Sequence, residues 1–381
     1  MRTIAVVTGT RAEYGYLKPL MRAIEQDASL KLFPLITGIH LIPESGNTST
    51  VVENDFPSAV KIPMPLQGDT LEDMAKYLGA GVTNFAQFFS AHRPHVLVVL
   101  GDRSESLAAA LAALYLNIPI AHINGGDVSG TTIDESIRHA ITKIAHIHLV
   151  HTKANAKRVE KMGEEKKRIH VMGALTLDTI LHTKLSSKQE IFKKYGLNPN
   201  KPTFLVVQHP LTTLKDNGYS QMKEVLLALH VLKEQTVLLY PNLDAGGKKL
   251  RELIKTYEQN SYLHTYVDIP HEDYLSLMKS VDVMIGNSSS GIIEAPSFKL
   301  PVVNIGSRQQ GRERSNNILD VEPEKNKILK AIQYSLHNRD FLRKIRFCKN
   351  TFGDGNASRR IVTVLKKVKL DEELIQKQIT Y

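Results

Sequence analysis

VLVVLGDRSESLAAALAALYLNIPIAHI, residues 96–123, decides the fold. Its first five residues are all apolar, a run of strand length with no polar face, as expected of a strand buried on both sides. ESLAAALAALYL at 105–116 is rich in alanine and leucine and therefore a good helix. IPIAHI at 118–123 is again strand-length. Strand, helix, strand at this spacing is a βαβ unit, whose two strands run parallel. The alternation extends both ways, through IAVVT (4–8), LFPLIT (32–37) and IHLV (147–150). A second series follows, with TFLVVQ (203–208), TVLLY (236–240), VDVMIG (281–286) and VVNI (302–305). Between them, the polar, charged LHTKLSSKQEIFKKYGLNPNKP (181–202) reads as a connection closed by Pro202. The expected class is α/β, with two Rossmann-like domains of parallel sheet and a cleft between them for a ligand.

The chain has 381 residues, too many for one ordinary core, and two domains of roughly 150–200 residues each are expected. With 42% hydrophobic and 23% charged residues the composition is that of a globular protein. No apolar run approaches the length of a membrane span. The chain enters an apolar strand almost at Met1, so no signal peptide and a cytoplasmic location are expected. A single cysteine, Cys348, excludes an internal disulfide and a thiol cluster for zinc. The formal charge of +10 could suggest nucleic acid, but the lysines are spread over amphipathic helices with few aromatics among them. An acidic small molecule accounts for the basicity as well, and no nucleic-acid or membrane partner is expected.

Charged groups gather where the strands end. TGTRAEY (8–14) puts Arg11 and Glu13 at the start of a helix, and TGIHL (37–41) adds His40 at another strand end. VLVVLGDRSES places Asp102, Arg103 and Glu105 directly after a fully apolar strand, a costly position unless they pair or meet a ligand. AHINGGDVSGTTIDESIRHAITK (121–143) delivers Asn124 and Asp127 around a Gly125-Gly126 turn. Asp134 and Glu135 then open a helix carrying Arg138 and His139. Asp134 could merely cap that helix, yet several titratable groups after one strand suit acid–base chemistry.

In the second half, QHP (208–210) ends a strand in His209, and PNLDAGG (241–247) offers Asn242 and Asp244. GNSSSGIIEAPSFKLPVVNIGSRQQGRE (286–313) is more telling. Asn287, Ser288, Ser289, Ser290 and Gly291 form a turn into a helix whose unpaired N–H groups suit an anion, with Pro296 delaying or kinking that helix. Glu294 fits vicinal ribose hydroxyls, and Arg308 and Arg312 suit pyrophosphate oxygens. The expected ligand is a nucleoside diphosphate carrying a sugar.

In this order TGTRAEY, GDRSE, GGDVSGTTIDESIRHAITK, QHP, PNLDAGG, GNSSSGIIEAPSF, NIGSRQQGR and FGDGNASRR resemble the hydrolysing UDP-N-acetylglucosamine 2-epimerases of sialic-acid and related nonulosonic-acid synthesis. The likeness runs from about residue 4 to residue 365. It implies the two-Rossmann glycosyltransferase-B architecture, with an N-terminal domain at 1–185, a C-terminal domain at 186–351, and a helix in 352–381 crossing back to the first domain. It implies anti elimination of UDP to a 2-acetamidoglucal, then addition of water to release the 2-epimer, with no metal or redox cofactor, by a homodimer or homotetramer. By matching position, Asp102 and Asp134 become the acid–base carboxylates, with Asp127 and Glu135 beside them. Arg11 and His209 assist the diphosphate, Ser289, Ser290 and Gly291 bind it, and Glu294 binds the ribose. Arg103 after Gly-Asp resembles the hydrolysing branch; the alternatives on this fold are a non-hydrolysing epimerase and a retaining glycosyltransferase. Asn124 stands where the best-known members have glutamate. That leaves the sugar open between N-acetylglucosamine and a 2,4-diacetamido-6-deoxy sugar of legionaminic-acid synthesis, and the nucleotide between UDP and GDP.

Overall fold

The computed structural model describes residues 1–42, 48–68, 70–129, 132–211, 216, 218–241 and 247–381. The chain divides into two compact units. Unit 1 comprises Met1–Asp127, Asp134–His182 and Phe352–Tyr381; unit 2 comprises Val128–Ile133 and Thr183–Thr351.

Unit 1 is built on seven parallel strands: β1 (Arg2–Thr8), β2 (Leu30–Thr37), β3 (Val60–Ile62), β4 (Val96–Leu100), β5 (Ile120–Ile123), β6 (Ile147–Val150) and β7 (Ile169–Val171). Their order is β3-β2-β1-β4-β5-β6-β7. The order reverses between β1 and β4, so the connections leaving these two strands diverge and open a crevice at their carboxyl ends. Alternate residues feed two apolar layers. Ile4, Val6, Val96 and Val98 pack with Leu17, Leu20 and Met21 on one face. Ala5, Val7, Leu97 and Val99 pack with Phe85, Phe89, Ala108 and Ala112 on the other. Burial on both faces is why these strands are unbroken apolar runs. The alanines of helix Ser104–Tyr115 permit a close approach to helix Leu71–Ala91. A Cβ on Gly81 would lie 2.9 Å from the Ala108 Cβ and 2.5 Å from the Met64 methyl.

The C-terminal helix Ala357–Lys367 completes the first layer through Ile361 and Leu365. Its amino end is capped from a distant part of the chain. Asp178 accepts from the Ala357 N–H at 2.9 Å and the Ser358 N–H at 2.7 Å. At its other end the Arg2 guanidinium donates to the Leu365 and Lys366 carbonyls.

Unit 2 holds six parallel strands: β8 (Thr203–Val207), β9 (Gln235–Leu239), β10 (Leu263–Tyr266), β11 (Val283–Gly286), β12 (Val302–Ile305) and β13 (Ile318–Val321). Their order, β10-β9-β8-β11-β12-β13, reverses between β8 and β11. Phe204, Val206, Val283, Ile285 and Val303 pack on Met222, Leu226, Ile328 and Ile332. Among the described residues no helix is long and apolar enough to cross a membrane.

Candidate active site

In unit 1 the chemistry collects after β4 and β5. The Gly101 N–H donates to the Ile123 carbonyl at 2.9 Å, which sets Asp102 beside Asn124 at neighbouring strand ends. Helix Ile133–Ile144 is fixed to them through His122. The Gly101 carbonyl can only accept, so the His122 Nε2, 2.7 Å away, carries the proton and the Nδ1 accepts from the Thr142 hydroxyl at 3.3 Å. Burial pushes this imidazole down to about 3, which keeps it neutral.

The helix presents Arg138, 1% exposed, against the Asp102 carboxylate. The same guanidinium lies 3.1 Å from Glu135, whose other oxygen is 3.1 Å from the His139 Nε2. A cation this deeply buried is stable only when paired, and Arg138 thereby fixes the orientation of Asp102. Asp134 lies one turn before Arg138, four residues away and so on the same helix face, half-buried. Two carboxylates, Asp102 and Glu135, therefore meet one buried cation, on the helix that Asp134 helps to open. Asp127 differs: it is 1% exposed and shut into the body of the protein.

Several of the expected site residues are buried beneath the loops. The Glu13 Oε2 accepts from the Gly9 N–H at 2.6 Å. The Glu105 Oε1 accepts from the Tyr77 hydroxyl at 2.7 Å, and its Oε2 faces the Arg103 Nε at 3.5 Å. Burial pushes the Glu13 carboxyl up to about 7, the Glu105 charge adding to the rise and the Gly9 N–H opposing it. His40 is fully buried between the Thr8 and Thr48 hydroxyls at 3.0 and 2.8 Å, and burial pushes it down to about 4. Glu13, Glu105 and His40 thus hold the strand-end loops. Arg11 opens helix Arg11–Glu25, and Arg103 caps helix Ser104–Tyr115 with its backbone; both side chains keep partial solvent contact.

In unit 2 the hub is Asn287, fully buried. Its Oδ1 accepts from the His209 N–H at 2.8 Å and its Nδ2 donates to the His209 carbonyl at 3.0 Å, so the side chain acts as a strand for the end of β8. Its own carbonyl accepts from the Gln309 Nε2 at 2.7 Å and from Arg308 at 3.2 Å. Gln309 in turn accepts from Arg312 at 2.7 Å. This close join of β8 and β11 requires Gly286, whose φ is +129° and whose Cβ would stand 2.1 Å from the Val207 carbonyl oxygen.

The serine turn is followed by only four helical residues, Ser290–Ile293, and Pro296 lies in a separate 3₁₀ turn, Ala295–Phe298. The interruption of the helix at Pro296 is the one expected from the sequence. Ser288 and Ser290 are buried and hydrogen-bonded to Tyr274; Ser289 is the most open of the three. Gly291 packs against Val302. Glu294 is 1% exposed, its Oε1 being 3.5 Å from the His271 Nε2.

A family profile described as UDP-N-acetylglucosamine 2-epimerase matches residues 22–366. The chain belongs to this family. The UDP-N,N'-diacetylbacillosamine 2-epimerase (hydrolyzing) of Legionella pneumophila is 38% identical over 382 residues, covering 100% of each chain. The GDP/UDP-N,N'-diacetylbacillosamine 2-epimerase (hydrolyzing) of Campylobacter jejuni is 37% identical over 324 residues, 84% of each chain. The crystal structure of the Neisseria meningitidis UDP-GlcNAc 2-epimerase bound to UDP-GlcNAc superposes with a TM-score of 0.81 at 19% identity, covering 97% of this chain and 100% of that one. The fold is thus of the glycosyltransferase-B type, as the resemblance implied.

For a member of this family, Asn242 and Asp244 lie outside the described residues. Three residues escaped sequence reasoning: His271 and Tyr274, on the helix His271–Ser280 beneath Glu294 and the serine turn, and Gln309. Pro270 with Glu272 and Asp273 announces a helix start, but nothing in that signal says which side chain the helix approaches. Among the described residues no group of three or more His, Cys, Asp or Glu is placed to hold a metal ion.

Proposed function

We propose that this protein is a hydrolysing nucleotide-sugar 2-epimerase acting on a UDP-linked 2-acetamido sugar, and that the sugar is a 2,4-diacetamido-6-deoxy sugar in preference to N-acetylglucosamine. The carrying observation is the Asp102 carboxylate held against buried Arg138, on the same helix that carries Asp134 in its first turn. The names of these two relatives support the diacetamido sugar.

In this reading Asp134 takes the proton from the sugar carbon that bears the acetamido group. The bond from C1 to the diphosphate oxygen breaks, UDP leaves, and the electron pair becomes the C1–C2 double bond of a 2-acetamidoglucal. As water adds at C1, the Asp102 carboxylate, oriented by Arg138, takes its proton and delivers it to C2 from the opposite face, while the proton held by Asp134 passes to the departing diphosphate or solvent. The sum is nucleotide sugar plus water to UDP plus the free 2-epimer. Arg11, His209, Ser289, Arg308 and Arg312 serve the diphosphate, and Glu294 the ribose. Asn287, Glu13, Glu105 and His40 support the loops that carry these groups. The enzyme is read as a cytoplasmic homo-oligomer that feeds nonulosonic-acid synthesis, with a polysialic acid biosynthesis protein of Escherichia coli, 33% identical, in support.

Incubation with UDP-N-acetylglucosamine and with its 2,4-diacetamido-6-deoxy analogue, in deuterated water and without an acceptor, tests the proposal. UDP and a free sugar with one deuterium at C2 are expected, faster from the analogue. Return of an intact UDP-linked epimer, or no UDP from either compound, overturns it.

A further inference from the structure

Asn124 has two unusual properties. Its φ is +67°, in the left-handed region. Its Oδ1 is shielded from solvent and has no hydrogen-bond partner among the described residues. The backbone alone would be served as well by glycine, and an asparagine in this conformation ordinarily turns its side chain onto its own main chain. Here it does not. An unpartnered, shielded carbonyl oxygen is destabilising, a loss that a bound donor reverses.

The donor must come from whatever lies beside Asp102. The Gly101–Ile123 bond fixes Asn124 next to that carboxylate, and the Asn124 N–H is itself tied to the Leu149 carbonyl at 3.1 Å, so its backbone is held in place. In the reading above, Asp102 acts at the sugar carbon carrying the acetamido group, on which this inference rests. We propose that Asn124 is the specificity-determining residue for that group: its carboxamide oxygen accepts from the acetamido N–H. The acetamido N–H finds in the carboxamide oxygen an acceptor that neither takes nor gives a proton. Asn124 then selects 2-acetamido over 2-hydroxy sugars and orients C2 for the neighbouring carboxylates.

The test compares wild type with Asn124→Gly, which tolerates the positive φ, and Asn124→Asp, which also tolerates it and keeps the acceptor. Binding of UDP, UDP-glucose and UDP-N-acetylglucosamine is measured by calorimetry, and UDP release from the last is followed alongside. Asn124→Gly should leave UDP and UDP-glucose affinity unchanged while weakening UDP-N-acetylglucosamine about five- to tenfold, the loss of a neutral hydrogen bond. Asn124→Asp should recover most of that preference. Equal weakening of all three ligands, or an unchanged preference in Asn124→Gly, overturns the inference. Absence of UDP release from wild type with a retained acetamido preference would instead strike the proposed reaction, leaving the role of Asn124 in binding intact.

Discussion

Replacing Glu13 by glutamine should change how stability depends on pH. Glu13 is buried, its carboxyl rises from 4.5 to about 7 on folding, chiefly through burial, and the neighbouring Glu105 charge adds to this. The folded state therefore holds the Glu13 proton more tightly than the unfolded chain. Below about pH 4.5 both states are protonated and the group has no pH-dependent effect. Between about pH 4.5 and 7 the unfolded chain ionises first, so stability falls as pH rises, and the loss is complete above the folded value. At 1.36 kcal/mol per pH unit the full loss is about 3 kcal/mol, of which about 2–3 kcal/mol falls between pH 5 and 8. Glutamine keeps the volume and an oxygen for the Gly9 N–H and has no proton to lose. Urea unfolding at pH 5 and pH 8, with the unit 1 transition identified by amide protection of residues 2–8, reads the effect. The variant should gain on wild type by about 2–3 kcal/mol from pH 5 to pH 8. Parallel pH dependences in the two proteins would refute the burial argument.

Other expectations follow from single contacts. Asp134→Asn should abolish both UDP release and deuterium uptake at C2 while UDP still binds; turnover near the wild-type rate would remove Asp134 as the base. Gly286→Ala should destabilise by about 3 kcal/mol or more, since its Cβ would stand 2.1 Å from a backbone carbonyl and φ is +129°. A lowered urea midpoint checks it. Asp178→Ala removes the partner of two backbone N–H groups, at 2.9 and 2.7 Å, and should cost about 2 kcal/mol, seen as faster proteolysis of the segment Phe352–Tyr381.

The central strands were legible because burial on both faces leaves them uniformly apolar; VLVVL and IAVVT could hardly be anything else. The edge strands β3, β7, β10 and β13 went unread. Each has only three or four residues, and their polar, partly exposed sequences, VKI, IHV, LHTY and ILDV, carry no clear alternation. At the site, the strand ends were found but side-chain direction was not. Arg11 and Glu13 are two positions apart on a helix, about 200° around its axis, so they cannot share a face, and Glu13 turns into the protein. Asp134 and Arg138, four apart, do share one, and that common face could be read from spacing. The role of Asn287 as a surrogate strand partner for His209 joins positions 78 apart and leaves no local trace.

The capping of helix Ala357–Lys367 by Asp178 also bears on how the protein is made. Leu17, Leu20 and Met21 share an apolar layer with Ile361 and Leu365, yet the ribosome delivers the two groups at opposite ends of synthesis. At roughly 5–20 residues per second, the intervening chain takes on the order of ten seconds or longer to emerge. Through that interval a nascent unit 1 displays an apolar strip with no cover. That strip is a natural point for a chaperone to hold, and any chain released before residue 357 is marked for removal by the same surface.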